Sequence, residues 1–288
     1  MQTRTTLVPR AILVTGCSSG IGRCLADGLR ARHYRVFATA RKQNDVEKLR
    51  QAGHESIQLD LNESSSINRA VNAILELTGG QLYALINNGA YGQPGAVEDL
   101  SRDALRRQFE TNVLGTQELT NRLIPVFRSQ NEGRIIQISS LLGLVCLAYR
   151  GAYNASKFAL EALSDTMRLE LRHTNIFVSL IEPGPIRSRF RDNALIAFRA
   201  HIDTSLSAHR ETYQAIERRL TGRAGSLPFT LPPEAVLRRV IQALEQRRPK
   251  IRYYVTTPTY IFGVLRRLLP GRWLDGVLYA TGHGERRQ

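Results

Sequence analysis

Tyr153 and Lys157 stand four residues apart, and on a helix that spacing puts a phenol and an ammonium on one face. Phe158, Leu160, Ala162, Leu163 and Met167 follow and give the same helix an apolar side to bury. Ser140 closes the apolar run Ile135-Ile136-Gln137-Ile138-Ser139. That run predicts a buried strand, and open parallel sheets bind ligands beyond the carboxyl ends of their strands. A hydroxyl there, facing a phenol and an ammonium, can polarise a carbonyl and exchange a proton with it. Only four lysines occur (Lys42, Lys48, Lys157 and Lys250) among 40 Lys and Arg residues, which argues against coincidence at position 157. An exposed helical Tyr and Lys is the competing reading, and the rest of the chain has to decide.

These groups need a sheet to hold them, and the sequence supplies one. Ala11 to Thr15 read as a buried strand, followed by Gly16-Cys17-Ser18-Ser19-Gly20-Ile21-Gly22 and a helix to about Arg32. A strand, a glycine-rich turn and a helix N-terminus make a phosphate site, because glycine admits close backbone approach and the helix end offers free N–H groups. Arg35 to Thr39 form the second strand. An acid at its end would bind ribose hydroxyls and favour NAD, whereas this chain has Ala40, Arg41 and Lys42. A guanidinium fork there suits a 2′-phosphate, so NADP(H) is the expected cofactor; Arg41 as one more surface arginine is the alternative. Ser56 to Asp60 form a third strand, with Asp60 placed to accept from adenine or to cap the next turn, and Leu61 beside it. Leu82 to Ile86 form a fourth, ending Asn87-Asn88-Gly89-Ala90. Ser101 to Ser129 read as a long helical region in which Asn112, among Phe109, Val113 and Leu114, needs a polar partner. It would hold a water or satisfy a backbone group. Ile176 to Ile181 form the sixth strand, ending Glu182-Pro183-Gly184-Pro185-Ile186-Arg187-Ser188. That turn is placed to wall a nicotinamide, with Ser188 on its carboxamide. Ile251 to Thr256 form the last strand.

Strand–helix alternation throughout predicts an α/β fold, a Rossmann-type doubly wound parallel sheet of about seven strands with helices on both faces. The 288 residues fit one domain spanning 1–288. Residues 187–231, with weak helical spacing at Phe190, Leu195, Phe198 and Ile202 and a flexible Thr221–Ser226 stretch, are placed as a lid over substrate. Residues 258–288 form an apolar tail interrupted by Arg266, Arg267, Pro270, Gly271, Arg272 and Asp275.

Composition bounds the partners. The net charge is +15, but the arginines are dispersed and no basic run is interleaved with aromatics. Nucleic acid is therefore not an expected partner. A solvated basic surface is the main reading of the charge and a weak membrane-surface role the other. The apolar tail is expected to pack against its own subunit or another, completing the substrate pocket or binding a partner, with rest on a membrane surface as the alternative. Three cysteines without metal spacing fit reduced thiols in the cytoplasm. The histidines show no paired ligand spacing, so no metal site is expected. Met1–Pro9 lacks the apolar core of a signal peptide.

The set Thr15-Gly16 through Gly20-Ile21-Gly22, Asp60, Asn87-Asn88, Asn112, Ser140, Tyr153-x-x-x-Lys157 and Pro183-Gly184 resembles the short-chain dehydrogenase/reductase superfamily. Ile181 to Arg187 and Leu268-Leu269-Pro270-Gly271-Arg272 are similar to bacterial NADP-dependent aldehyde reductases, themselves related to retinol and 17β-hydroxysteroid dehydrogenases. The resemblance implies Tyr153 as the acid in reduction and the base in oxidation. It implies that Lys157 lowers the tyrosine pKa and binds the nicotinamide ribose, that Ser140 hydrogen-bonds the carbonyl oxygen and that Asn112 holds a relay water. It further implies a homo-oligomer and a small apolar aldehyde, ketone or alcohol as substrate. A retinol- or steroid-type alcohol dehydrogenase and a non-catalytic NADP(H)-binding sensor are the alternatives. Two departures stand out. The family's Asn-Asn-Ala-Gly is Asn87-Asn88-Gly89-Ala90 here, with a looser turn and weaker adenosine binding expected. Ser188 replaces a threonine and keeps the hydroxyl.

Overall fold

The computed structural model describes residues 9–222 and 228–282. Most of the Met1–Pro9 and Thr221–Ser226 stretches singled out above, and the last residues of the tail, lie outside the described residues. In chain order the elements are β1 (Ala11–Val14), α1 (Gly20–Arg30), β2 (Arg35–Ala40), α2 (Gln43–Gln51), β3 (Glu55–Gln58), α3 (Ser64–Leu77) and β4 (Ala84–Asn87). There follow α4 (Arg102–Phe109), a π-helical turn (Glu110–Gly115), α5 (Thr116–Ser129), β5 (Gly133–Ile138), α6 (Gly151–Glu170) and β6 (Ile176–Glu182). The rest comprises α7 (Phe190–His201), α8 (Arg210–Leu220), α9 (Glu234–Glu245), β7 (Arg252–Tyr254), α10 (Thr257–Leu268) and α11 (Gly271–Gly282).

The strands form one seven-stranded sheet in the order β3-β2-β1-β4-β5-β6-β7, with every pair parallel. Successive side chains of β1 show why helices cover both faces. Ile12 and Val14 pack with Leu25, Ala26 and Leu29 of α1 and Val236, Val240 and Leu244 of α9. Leu13 packs on the other side with Ile67 and Ile74 of α3, Leu119, Leu123 and Phe127 of α5 and Met167 of α6. Strands buried on both faces need continuous apolar runs, and the expected runs are where the strands occur. β3 is shorter than expected and stops at Gln58, so Asp60 falls just past its end. β7 is shorter still at Arg252–Tyr254. The chain order reverses between β1 and β4, which opens a crevice at their carboxyl ends.

The segment after β6 is more ordered than its weak periodicity predicted. α7 and α8 share a cluster of Phe198, Ile202, Tyr213, Ile216 and Leu220 with Ala96, Leu100 and Ala152. The Tyr213 hydroxyl, wholly buried, accepts from the Ala96 N–H at 3.0 Å and donates to Asp99. Apart from the joint at Leu269 and Pro270, the described part of the tail is helical. Phe262 and Leu265 of α10 and Leu278 of α11 pack on Leu141 and Val145.

A buried charge cluster ties α6 to β6 and β7. Arg252 on β7 reaches Glu161 at 2.9 Å, Asp165 at 2.6 Å and Glu182 at 3.1 Å. Glu182 is fully buried, and neither of its oxygens has an aligned hydrogen bond among the described residues. Burial raises the pKa of both glutamates, and the neighbouring Glu161 carboxyl pushes Glu182 further up against the pull of Arg252. The native state therefore holds a proton on this pair that an unfolded chain releases above the ordinary carboxylate range. Stability from that proton is full at low pH and is lost as pH rises toward the raised native value. Glu182→Gln keeps the shape and cannot titrate. Its melting temperature should fall less than that of the wild type between about pH 6 and about pH 8. Parallel declines in thermal melts of the two proteins would show that Glu182 is ionised in the native state.

Candidate active site

The site begins with three backbones brought into contact at the crevice. Gly16 has a φ of +70°, and a Cβ on it would lie 2.8 Å from the Gly89 Cα. A Cβ on Gly22 would lie 2.2 Å from the Gly16 oxygen, so only glycine permits the turn from β1 into α1 to close. Gly20, with a φ of +56°, meets Ser188 at 2.8 Å in the same way. Thr15 and Asn88 lock this junction. The Thr15 hydroxyl oxygen accepts from the Asn88 N–H at 2.9 Å and the Gly89 N–H at 2.8 Å. The Asn88 amide donates to the Thr15 and Gly16 carbonyls at 2.8 and 3.1 Å. The turn that Gly89 was expected to loosen is thus pinned by the hydroxyl of the neighbouring strand. Ser19 precedes α1 in extended conformation without a side-chain cap bond, and the first turn of that helix carries no acid. Its free N–H groups and positive dipole end face the cavity, the arrangement that accepts a pyrophosphate.

The cavity measures about 370 Å³ and runs from Gly16, Ser18, Ser19, Gly20 and Ile21 past Ser140, Tyr153 and Lys157 to Pro183, Gly184, Ile186 and Ser188. A dinucleotide fits this cleft on two observations: the glycine cradle that any Cβ would fill, and the open end of α1 at its floor. Asn87, Asn112, Arg41, Asp60 and Leu61 are not among its walls. Asn87 is buried and donates to the Thr120 hydroxyl at 2.9 Å, tying β4 to α5; the adjacent Asn88 is the one at the cavity. Arg41 is exposed at the end of β2. The Asp60 carboxylate accepts the Asn62 N–H at 3.0 Å and so caps its own turn. Leu61 is buried. Its carbonyl oxygen lies 1.8 Å from where a Cβ on Gly115 would stand, which seats the β3 loop directly on the π-turn.

Ser140, Tyr153 and Lys157 come together at the middle of the cavity. The Ser140 oxygen accepts from the Leu142 N–H at 3.1 Å, and its hydroxyl lies near enough to the Tyr153 phenol to pull its pKa down. The Lys157 ammonium is buried, donates to the Ile138 carbonyl at 2.8 Å and lies 5.7 Å from the centre of the tyrosine ring. Burial dominates the electrostatics. It raises the Tyr153 phenol to about 12, with the Ser140 hydrogen bond pulling weakly the other way. It also lowers Lys157 to about 8, against the pull of Glu161 one helical turn on. The expected downward shift of Tyr153 by Lys157 is therefore not found. One of the three ammonium N–H groups donates to Ile138, and burial of the phenol is the larger influence on its pKa.

Asn112 sits in the π-helical turn, a distortion common at functional sites. Its amide accepts from the Tyr91 N–H at 3.1 Å and donates to the Tyr91 carbonyl at 2.9 Å and to the Ser156 hydroxyl at 3.1 Å. Ser156 in turn bonds the Tyr153 carbonyl at 2.8 Å. The partner that the asparagine required is thus a backbone, and through Ser156 it is linked to α6 behind the tyrosine.

Phe190 was not singled out as a site residue. Its ring crosses that of Tyr153 with centroids 5.3 Å apart, and it joins Leu142, Leu147, Ala194 and Leu220 in the apolar part of the wall. Arg150, Arg191 and Arg219 complete the wall on the α7–α8 side. The signal in the sequence was the position of Phe190 directly after the Pro-Gly turn; its contact with residue 153 is a product of the fold.

Residues 10–196 match the short chain dehydrogenase family. The chain is 42% identical over 272 residues to an uncharacterized oxidoreductase, YbbO, of Escherichia coli (strain K12), covering 94% of this chain and 95% of that one. It is 31% identical over 280 residues to the NADPH-dependent 3-dehydrocapnine reductase of Ornithobacterium rhinotracheale, covering 94% and 96%. A short-chain dehydrogenase from Streptomyces avermitilis superposes with a TM-score of 0.75 at 26% identity, covering 96% of this chain and 98% of that one. The chain belongs to the short-chain dehydrogenase family of oxidoreductases.

Proposed function

We propose that the protein is an NADPH-dependent carbonyl reductase acting on apolar aldehydes or ketones. The observation that carries this reading is the grouping of Ser140, Tyr153 and a buried Lys157 in the wall of a cleft that begins at a glycine cradle. When bound, the dinucleotide supplies and recovers a hydride. The chain's own residues do the rest. The Ser140 hydroxyl and the Tyr153 phenol hydrogen-bond the substrate oxygen. As negative charge develops on that oxygen, Tyr153 releases its proton to it and the product is the alcohol. The phenolate is held by the Ser140 hydroxyl and the Lys157 ammonium until it takes a proton back from solvent. A phenol raised to about 12 is fully protonated at neutral pH, the form that reduction needs. A lysine near 8 is still mostly charged there. Asn112 is a positioning residue that holds the Tyr91 backbone against α6. Leu142, Leu147, Phe190, Ala194 and Leu220 suit an apolar substrate body, and α7 and α8 cover it as a lid. Pro183, Gly184, Ile186 and Ser188 form the wall assigned to the nicotinamide end.

The phosphorylated cofactor is favoured by Arg41 and Lys42 at the end of β2, where no acid stands. The relative described as NADPH-dependent supports the same preference. Three unpaired thiols, with Cys17 buried, suit a reducing cytoplasmic setting.

Tyr153→Phe should lower aldehyde-dependent NADPH oxidation by about 10²- to 10⁴-fold while fluorescence titration shows NADPH binding retained. Full turnover in the variant would remove the proton donor from the scheme. Arg41→Ala should weaken NADPH binding about tenfold, the loss of one charge-assisted contact, and leave NADH binding unchanged. Equal weakening of both cofactors would end the 2′-phosphate assignment.

A further inference from the structure

The hairpin of α10 and α11 uses one side for the fold and leaves the other uncovered. Its root is fixed at the Pro-Gly turn: Thr256 and Thr259 are fully buried, with their hydroxyls 3.1 Å apart. A Cβ on Gly184 would lie 2.2 Å from the Thr256 hydroxyl. Phe262, Leu265 and Leu278 press on Leu141 and Val145, in the segment that also walls the cavity. On the outer side Ile261, Val264 and Leu268 are 48%, 52% and 72% exposed, and their spacing of three and four residues makes them one helical stripe. Beyond the two-residue joint, Trp273 is 70% exposed and Val277, one turn on, 38%. A stripe of this kind costs solubility unless something apolar covers it.

The charges indicate what that is. Arg266, Arg267 and Arg272 flank the stripe, against one acid, Asp275. The Arg266 guanidinium lies over Phe158 at 5.1 Å, and Arg267 donates to the Tyr254 hydroxyl and the Gly263 carbonyl, so both are held beside the apolar face. A second copy of the chain would bring the same arginines face to face on a protein of net charge +15. An anionic lipid surface offers the opposite sign, an apolar interior and an interface that tryptophan favours. At 12 residues each, the helices are about 18 Å long against a hydrocarbon core of about 30 Å. Among the described residues, no helix is long and apolar enough to cross a membrane. We propose that the α10–α11 hairpin lies on an anionic bilayer, with Ile261, Val264, Leu268 and Trp273 entering the headgroup boundary and the arginines meeting lipid phosphates. Nothing in this proposal depends on the reaction assigned to the cavity.

Trp273 is the single tryptophan in the chain, so its emission reports on the hairpin directly. The full-length protein is titrated with vesicles of phosphatidylcholine containing about 30% phosphatidylglycerol, and with phosphatidylcholine alone. The expected result is a blue shift with the anionic vesicles, quenching by brominated acyl chains, and weakening with added salt. Binding to the neutral vesicles should be at least about tenfold weaker. The double variant Val264→Ser and Leu268→Ser, with its circular dichroism and melting temperature unchanged, should bind anionic vesicles at least about tenfold less tightly. No shift with anionic vesicles overturns the proposal, as does equal binding to both compositions. A blue shift that grows with protein concentration in the absence of lipid overturns it too, and assigns the face to a second copy.

Discussion

The Lys157 ammonium is buried with a single hydrogen bond among the described residues, to the carbonyl of Ile138 at the end of β5. A cation in such a place is costly unless dipoles or charges answer it, and much of the surrounding structure does so. β5 must end where it does for that carbonyl to be free, and α6 must pass close enough for one turn to carry both the lysine and Tyr153. Glu161, a turn further along α6, favours the charged lysine and is itself held by Arg252 from β7. The charge chain therefore extends from the centre of the cavity to the edge of the sheet. It also bears on how a carboxyl as buried as Glu182 is tolerated: burial and Glu161 push its pKa up, favouring the neutral form, and Arg252 reaches it as well as the two acids beside it.

The same desolvation sets the protonation state of the site. Tyr153 is half-buried in the cavity wall, where Phe190 and the Pro-Gly turn crowd its ring. In that environment the neutral phenol and a lysine of lowered pKa are the preferred forms. A neutral phenol can give a proton to a carbonyl oxygen and cannot accept one from an alcohol. Reduction draws on the phenol and oxidation on the phenolate of the same residue, so the pH dependence of the two directions should be opposite.

Much of the architecture was legible because it follows local patterns. Runs such as Ala11–Val14 and Ile135–Ile138 are apolar on both faces and bounded by glycine or polar residues, which leaves a parallel strand as the consistent solution. The glycine loop and the Tyr153–Lys157 spacing are likewise local, and they fall where the sheet opens. What escaped the sequence is long-range. Asn87 and Asn88 are adjacent and alike, and only the pleat of β4 decides that the first faces Thr120 and the second the cavity. The cluster of Arg252 with Glu161 and Glu182 joins residues up to 91 positions apart. Phe190 covers Tyr153 across a chain reversal. The expectation for Tyr153 weighed a cation against a phenol, whereas burial raises the phenol and lowers the lysine, an influence that only the folded chain reveals.

The most direct test follows hydrogen itself. The protein would be incubated with a medium-chain aldehyde and NADPH carrying deuterium at both nicotinamide C4 positions, and the alcohol formed would be analysed by mass spectrometry. One deuterium on the former carbonyl carbon, and none when NADPH is omitted, is the result predicted for a carbonyl reductase. NADPH bound without alcohol formation across apolar aldehydes and ketones, or alcohol formed without deuterium, would contradict it.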